Sequence, residues 1–77
     1  MKKIQILGPG CPNCERLAAL TERVAQELGA EFELEKVKDI SEIVQFGVMA
    51  TPGLVVDGKV VVSGRMPSEA EVKGWLS

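Results

Sequence analysis

The chain has no histidine and no tyrosine, and its aromatic content is one Trp and two Phe in 77 residues. Without histidine it has no Cys–His or Ser–His nucleophile and no imidazole to offer a metal. So few aromatic rings, with a formal net charge of −2, leave neither a base-stacking platform nor the basic field that a nucleic-acid partner requires. Long apolar runs are missing as well. The N-terminal run Ile4-Gln5-Ile6-Leu7 is broken at Gln5 and stops at Gly8, too short for a membrane span or the apolar core of a signal peptide. What remains, 45% hydrophobic and 26% charged residues, describes a globular chain rather than a disordered one. Its length predicts a single domain over residues 1–77 with a compact core. The short, broken N-terminal run reads as the first strand of a cytoplasmic protein, and a monomer is the default because no self-complementary stripe is evident.

Cysteine is equally scarce, and both copies stand in one stretch: Gly8-Pro9-Gly10-Cys11-Pro12-Asn13-Cys14. A C-x-x-C of this kind is a poor staple. Cytosolic disulfides are rare, and closing so short a loop gains only about 2 kcal/mol by chain entropy before any strain is subtracted. The stretch follows a strand-like run and precedes a segment of helical periodicity. That junction puts Cys11 at a helix entrance, where unpaired backbone N–H groups and the positive end of the macrodipole favour thiolate over thiol. Pro12 suits the first helical position, which has no use for its missing N–H. Cys14 lies one turn on.

The rest of the chain supplies a frame for that loop. Ile4 and Ile6 share one face of a first strand, and Gln5 and Leu7 the other. From Pro12 to Leu28, Cys14, Leu17, Leu20 or Thr21, Val24 and Leu28 recur at helical spacing, and Gly29 supplies a left-handed stop. Phe32 and Leu34 alternate with Glu33 and Glu35 in a charged strand suited to a sheet edge. Asp39-Ile40-Ser41-Glu42 fits a capping box that opens a short helix with Ile40, Ile43 and Val44 as its apolar stripe. Two β-branched runs joined by Asp57-Gly58 read as a hairpin. Ser68-Glu69-Ala70-Glu71 is a second capping box, and it opens a helix that packs Val72, Trp75 and Leu76. The order is β-α-β-α-β-β-α, an α/β chain with a four-stranded mixed sheet and helices on both faces. Its Cys11 loop falls at the carboxyl end of the first strand, where open α/β sheets carry their sites.

Taken alone, the C-x-x-C is compatible with three roles: a redox dithiol, a soft-metal clamp, or two small buried hydrophobes. Pro52 reads as a strand-entry proline, and Gly64 as the glycine of a strand-to-helix turn. On this element order, however, the chain resembles the thioredoxin-fold family, and most closely its small glutaredoxin-sized members, the redox-active disulfide proteins of archaea and bacteria. The resemblance spans nearly the whole chain. It rests on Cys11-Pro12-Asn13-Cys14 at the start of the first helix, on Thr51-Pro52 before the third strand, and on Gly64 after the fourth. It departs from the commoner members at Gly10 and Gln5, where thioredoxins usually carry a tryptophan and a buried aspartate. The lack of tyrosine gives glutathione use no support.

The resemblance implies a thiol–disulfide oxidoreductase with no cofactor beyond the redox-active Cys11–Cys14 disulfide. Its partners would be protein disulfides and a thioredoxin-reductase-like flavoprotein as electron donor, with no nucleic acid and no membrane. Cys11 and Cys14 would be catalytic. Pro12, Asn13, Thr51, Pro52 and Gly64 would contact substrate, Pro52 through a cis peptide bond facing the cysteines. An unperturbed thiol of pKa about 8.5 is only about 3% ionised at pH 7, and about 2 kcal/mol from a helix terminus would bring roughly half of it to thiolate. The alternative is a soft-metal module in which the C-x-x-C holds Cu(I) or half a zinc site. Metal chaperones of that type follow a β-α-β-β-α-β order, which this chain does not share, and a full zinc shell would need two copies.

Overall fold

In a computed structural model the elements are β1 (Lys2–Leu7), α1 (Pro12–Glu27), β2 (Phe32–Val37), α2 (Ile40–Gln45), β3 (Gly53–Val56), β4 (Lys59–Ser63) and α3 (Glu69–Leu76). The structure describes residues 2–10, 12–29 and 31–77. The strands form one sheet in the order β2-β1-β3-β4, with β1 parallel to β2 and antiparallel to β3, and β3 antiparallel to β4. This is the element order and the mixed sheet expected from the sequence.

Strand alternation divides the core in two. Ile4, Ile6, Leu54, Val56 and Val62 face α1 and α3, and they pack with Leu17, Ala18, Val24 and Ala25 of α1 and Val72 and Leu76 of α3. Leu7, Val37 and Val55 face the other way and meet Val48 and Ile43, the latter from α2. Helices therefore cover both faces of the sheet. Each fully buried Leu, Ile or Val contributes about 1.5–3 kcal/mol relative to leaving it in water.

Several sequence expectations are corrected here. Leu28 lies beyond the end of α1 and is 42% exposed, while Ala18 and Ala25 take places on the buried side. Small side chains carry little hydropathic signal, yet they let a helix sit close to a sheet. In α2 only Ile43 is buried, and Ile40 and Val44 are 61% and 62% exposed. A helix of 6 residues turns one narrow face to the sheet, so the expected three-residue stripe does not fit beneath it. Its cap also closes differently: Asp39 Oδ1 accepts from Ser41 N–H at 2.8 Å, one position earlier than the Glu42 that a capping box uses.

The short α2 covers only the end of its sheet face. The remainder is polar, with Lys3 opposite Glu33 and Gln5 opposite Glu35 across the β1–β2 pair, and Gln5 Nε2 donates to Glu35 Oε1 at 3.2 Å. Exposed charge along β2 is what an edge strand needs to resist pairing with another chain. At the hairpin Asp57 and Gly58 have φ of 51° and 82°, the two positive values of a type I′ turn. Asp57 N–H donates to Lys3 O at 2.8 Å, and its carboxylate accepts from Lys3 N–H at 2.9 Å, which ties the turn to the start of β1. A register shift, Leu54 opposite Val62 but Val55 opposite Val60, makes Val61 an extra residue in β4. In α3 both halves of the capping box are present, Glu71 N–H donating to Ser68 Oγ and Ser68 N–H to Glu71 Oε1. None of the described helices is long and apolar enough to cross a membrane.

One polar atom breaks the apolar face of α1. Thr21 is fully buried, and its Oγ1 finds no hydrogen-bond partner among the described residues. A buried hydroxyl left unbonded costs about 1–3 kcal/mol of desolvation. Thr21→Val keeps the shape and removes that cost, so chemical denaturation should show a gain of about 1 kcal/mol. A loss of stability would mean that the hydroxyl is bonded in solution.

Candidate functional site

Because β3 runs antiparallel to β1, the beginning of β3 lies beside the end of β1, with Leu7 opposite Gly53. The residues just before β3 are thereby carried to those just after β1. Thr51–Pro52 is a cis peptide bond, as the family resemblance implied, with Pro52 buried and Thr51 half-buried. A side chain built on Gly8 would come within 3.8 Å of Thr51 Cβ. The β3–β4 ladder continues the convergence, since Gly53 is opposite Ser63 and Gly64 N–H donates to Pro52 O at 2.9 Å. Gly64 has φ of +78°, and a Cβ there would stand 3.1 Å from that of Ala50. It is a glycine both for its backbone conformation and for that close approach. Three signals far apart in sequence thus meet at one end of the sheet.

The C-x-x-C loop crosses the same end. Cys11 lies outside the described residues, whereas Pro12 is the first residue of α1 and is exposed together with Asn13. Cys14, in the first turn, is 4% exposed and disulfide-bonded. Its sulfur lies directly over Gly8, and Gly8 N–H donates to Val37 O at 2.9 Å, which anchors the loop to β2. Glu15, the next residue, places a carboxylate near the helix entrance, where it would oppose a thiolate. Lys36 Nζ on β2 meets its Oε2 at 3.1 Å and offsets part of that charge. Among the described residues no group of three or more His, Cys, Asp or Glu is arranged to hold a metal ion.

Beside the loop is a hollow of about 540 Å³ that the sequence did not signal. Pro9 and Thr51 line it together with Ile40, Ile43, Val44, Val48 and Met49. The exposure of Ile40 and Val44 and the complete exposure of Met49 make this an apolar patch adjoining the cysteine loop. The available clue was a helical stripe too wide for a helix of a turn and a half.

The loop carrying Gly64 is pinned from its other side. Arg65 makes a two-pronged contact with Glu71, 3.0 Å from Nη1 to Oε1 and 2.6 Å from Nη2 to Oε2. That hydrogen bonding, followed by the bond from Ser68 N–H, holds the Glu71 carboxyl down at about 2 from an ordinary 4.5. Met66, which follows, packs partly buried against the core below α1 and α3, as does Trp75.

Four strands ordered β2-β1-β3-β4, helices on both faces, a C-x-x-C at the first helix and a cis proline before β3 together make a thioredoxin-like fold. A family model described as a thioredoxin domain matches residues 2–77. A protein named thioredoxin from Methanothermobacter thermautotrophicus is 44% identical over 77 residues, covering 100% of both chains. One of the same name from Methanocaldococcus jannaschii is 38% identical over 76 residues, covering 99% of this chain and 87% of its own. A second from that organism is 30% identical over 79 residues, covering 95% and 93%. The chain belongs to the thioredoxin family.

The lowered Glu71 pKa has a definite sign. A carboxyl at about 2 in the folded chain and near 4.5 when unfolded adds stability that is complete above 4.5 and lost as pH falls toward 2. Thermal melts of wild type and Glu71→Gln should therefore converge between pH 4.5 and 2, with the gap at neutral pH narrowed by salt because the pair is exposed. Parallel curves across that range would mean that the Arg65 contact is not formed in solution.

Proposed function

We propose that residues 1–77 act as a single thioredoxin-like unit that exchanges a Cys11–Cys14 dithiol and disulfide with protein disulfides in a reducing cytoplasm. Membership of the thioredoxin family supports a thiol–disulfide oxidoreductase, and the comparisons lend no support to the soft-metal alternative. The observation that carries the residue assignment is Cys14: disulfide-bonded, almost wholly buried, and set at the end of the sheet where the cis Thr51–Pro52 bond and Gly64 converge.

The chemistry divides between the two sulfurs. Cys11 precedes the helix entrance, where a thiolate is favoured, and acts as the nucleophile. Its thiolate attacks one sulfur of a substrate disulfide, a mixed disulfide forms, and the other substrate sulfur leaves as a thiolate that takes up a proton. Cys14, screened from bulk solvent, suits the second step. Having given up its proton, it attacks the Cys11 sulfur, closes the internal disulfide and releases the reduced substrate. Pro12, Asn13, Thr51, Pro52 and Gly64 border the path of an extended substrate segment. The apolar hollow flanked by Pro9 and Thr51 receives a side chain next to the substrate cysteine. A thioredoxin-reductase-like flavoprotein returns two electrons to the disulfide, and no further cofactor takes part.

Reduction of insulin and of a small aromatic disulfide by wild type, Cys11→Ser and Cys14→Ser tests the assignment. The first variant should be inactive, and the second should accumulate a covalent mixed disulfide with substrate. Equal loss without a trapped adduct, accompanied by tight metal retention, would overturn it. Val44→Asp separates recognition from chemistry. Losing one apolar contact of about 1.4 kcal/mol should raise KM for the protein disulfide about ten-fold and leave the small disulfide unaffected. Equal effects on both substrates would remove the hollow from the binding path.

A further inference from the structure

Gly8 is glycine for a reason unlike the turn glycines. Gly10, two residues on, has φ of +100°, a conformation that side chains resist, but Gly8 is not among the residues of positive φ. What sets Gly8 apart is space: a Cβ built on it would fall 2.1 Å from Cys14 Sγ and 2.9 Å from Cys14 Cβ. Unbonded heavy atoms pack at about 3.5–4.0 Å, so the sulfur already occupies the place where a side chain of residue 8 would be. We propose that Gly8 is a positioning residue for Cys14, and that its bare α-carbon lets the sulfur settle on the loop backbone and thereby sets the poise of the disulfide.

The surroundings indicate which part would yield to a side chain. Gly8 cannot easily retreat, because its N–H is bonded to Val37 O and its neighbour Leu7 is fully buried and paired with Gly53. The backbone of Cys14 is held by α1, whose next turn buries Leu17 and Ala18. Turning the Cys14 side-chain torsion relieves the 2.1 Å contact with Sγ, while the 2.9 Å contact with Cys14 Cβ is present in both redox states and is met by a small backbone shift common to the two. A dithiol leaves that torsion free to swing Sγ away, whereas a closed disulfide fixes it. A methyl group at position 8 therefore penalises the oxidised form more than the reduced one and makes the protein a stronger oxidant.

The inference rests on Cys11 and Cys14 being the exchanging pair, and an equilibrium titration against glutathione keeps the two questions apart. In that reaction two glutathione thiols lose two electrons and two protons and join as glutathione disulfide. The protein S–S bond takes up those electrons and protons and breaks into two thiols. Gly8→Ala should shift the equilibrium at least ten-fold toward the dithiol, about 30 mV for a two-electron couple, while the reduced variant stays folded and loses less stability than the oxidised one. A folded variant that titrates with wild type overturns the proposal. If Gly8→Ala folds in neither state, Gly8→Ala/Cys14→Ala decides: recovery of folding assigns the clash to the Cys14 sulfur, and continued failure overturns the proposal. A wild type with no dithiol–disulfide equilibrium would refute the proposed function itself, and this inference with it.

Discussion

The antiparallel pairing of β1 with β3 is the constraint on which the rest depends. It sets Leu7 opposite Gly53, and from that single register the loop after β1 must meet the loop before β3. A slip of one residue would turn every side chain to the opposite face. Ile4 and Ile6 would leave the α1 side, Leu7 would leave the α2 side, and the Gly8–Thr51 approach would be lost. Hydrophobic alternation along two central strands thus fixes the geometry of a site that contains almost none of those residues.

The two faces of the sheet are built unequally. Beneath α1 and α3 lies a large closed cluster, reinforced by a fully satisfied capping box and by an exposed Arg23–Glu69 contact between the two helices. Beneath α2 lies a smaller one, and beyond it the face is polar. Cys14 belongs to the helix on the first side, whereas the apolar hollow is built around the helix on the second. Gly8 and Thr51 stand where these halves touch. The cysteine helix and the apolar hollow accordingly rest on separate parts of the core.

Most of the fold was legible in the sequence because its signals were redundant. Asp57-Gly58 marked the hairpin, Glu33 and Glu35 the edge strand, and Ser68 with Glu71 the last helix. The convergence of Cys14, Thr51, Pro52 and Gly64 was legible only through the family resemblance, since Thr51-Pro52 alone does not distinguish cis from trans. Three features escaped. Ala18 and Ala25 were hidden by small side chains, and the exposure of Ile40 and Val44 by a pattern that fits a longer helix better than this one. Gly8 was hidden because a glycine chosen for space is indistinguishable, in one dimension, from a glycine chosen for a turn.

The brevity of α2 carries a longer consequence. With one side chain, Ile43, committed to the interior, the helix holds its neighbours Ile40 and Val44 at the surface under no packing obligation. Such positions are free to drift among residues of different size and polarity while the sheet stays intact. A lineage of these chains could therefore reshape the lining of the hollow by exchanging a few outward-facing residues on one short element, with the sheet and the cysteine loop inherited unchanged.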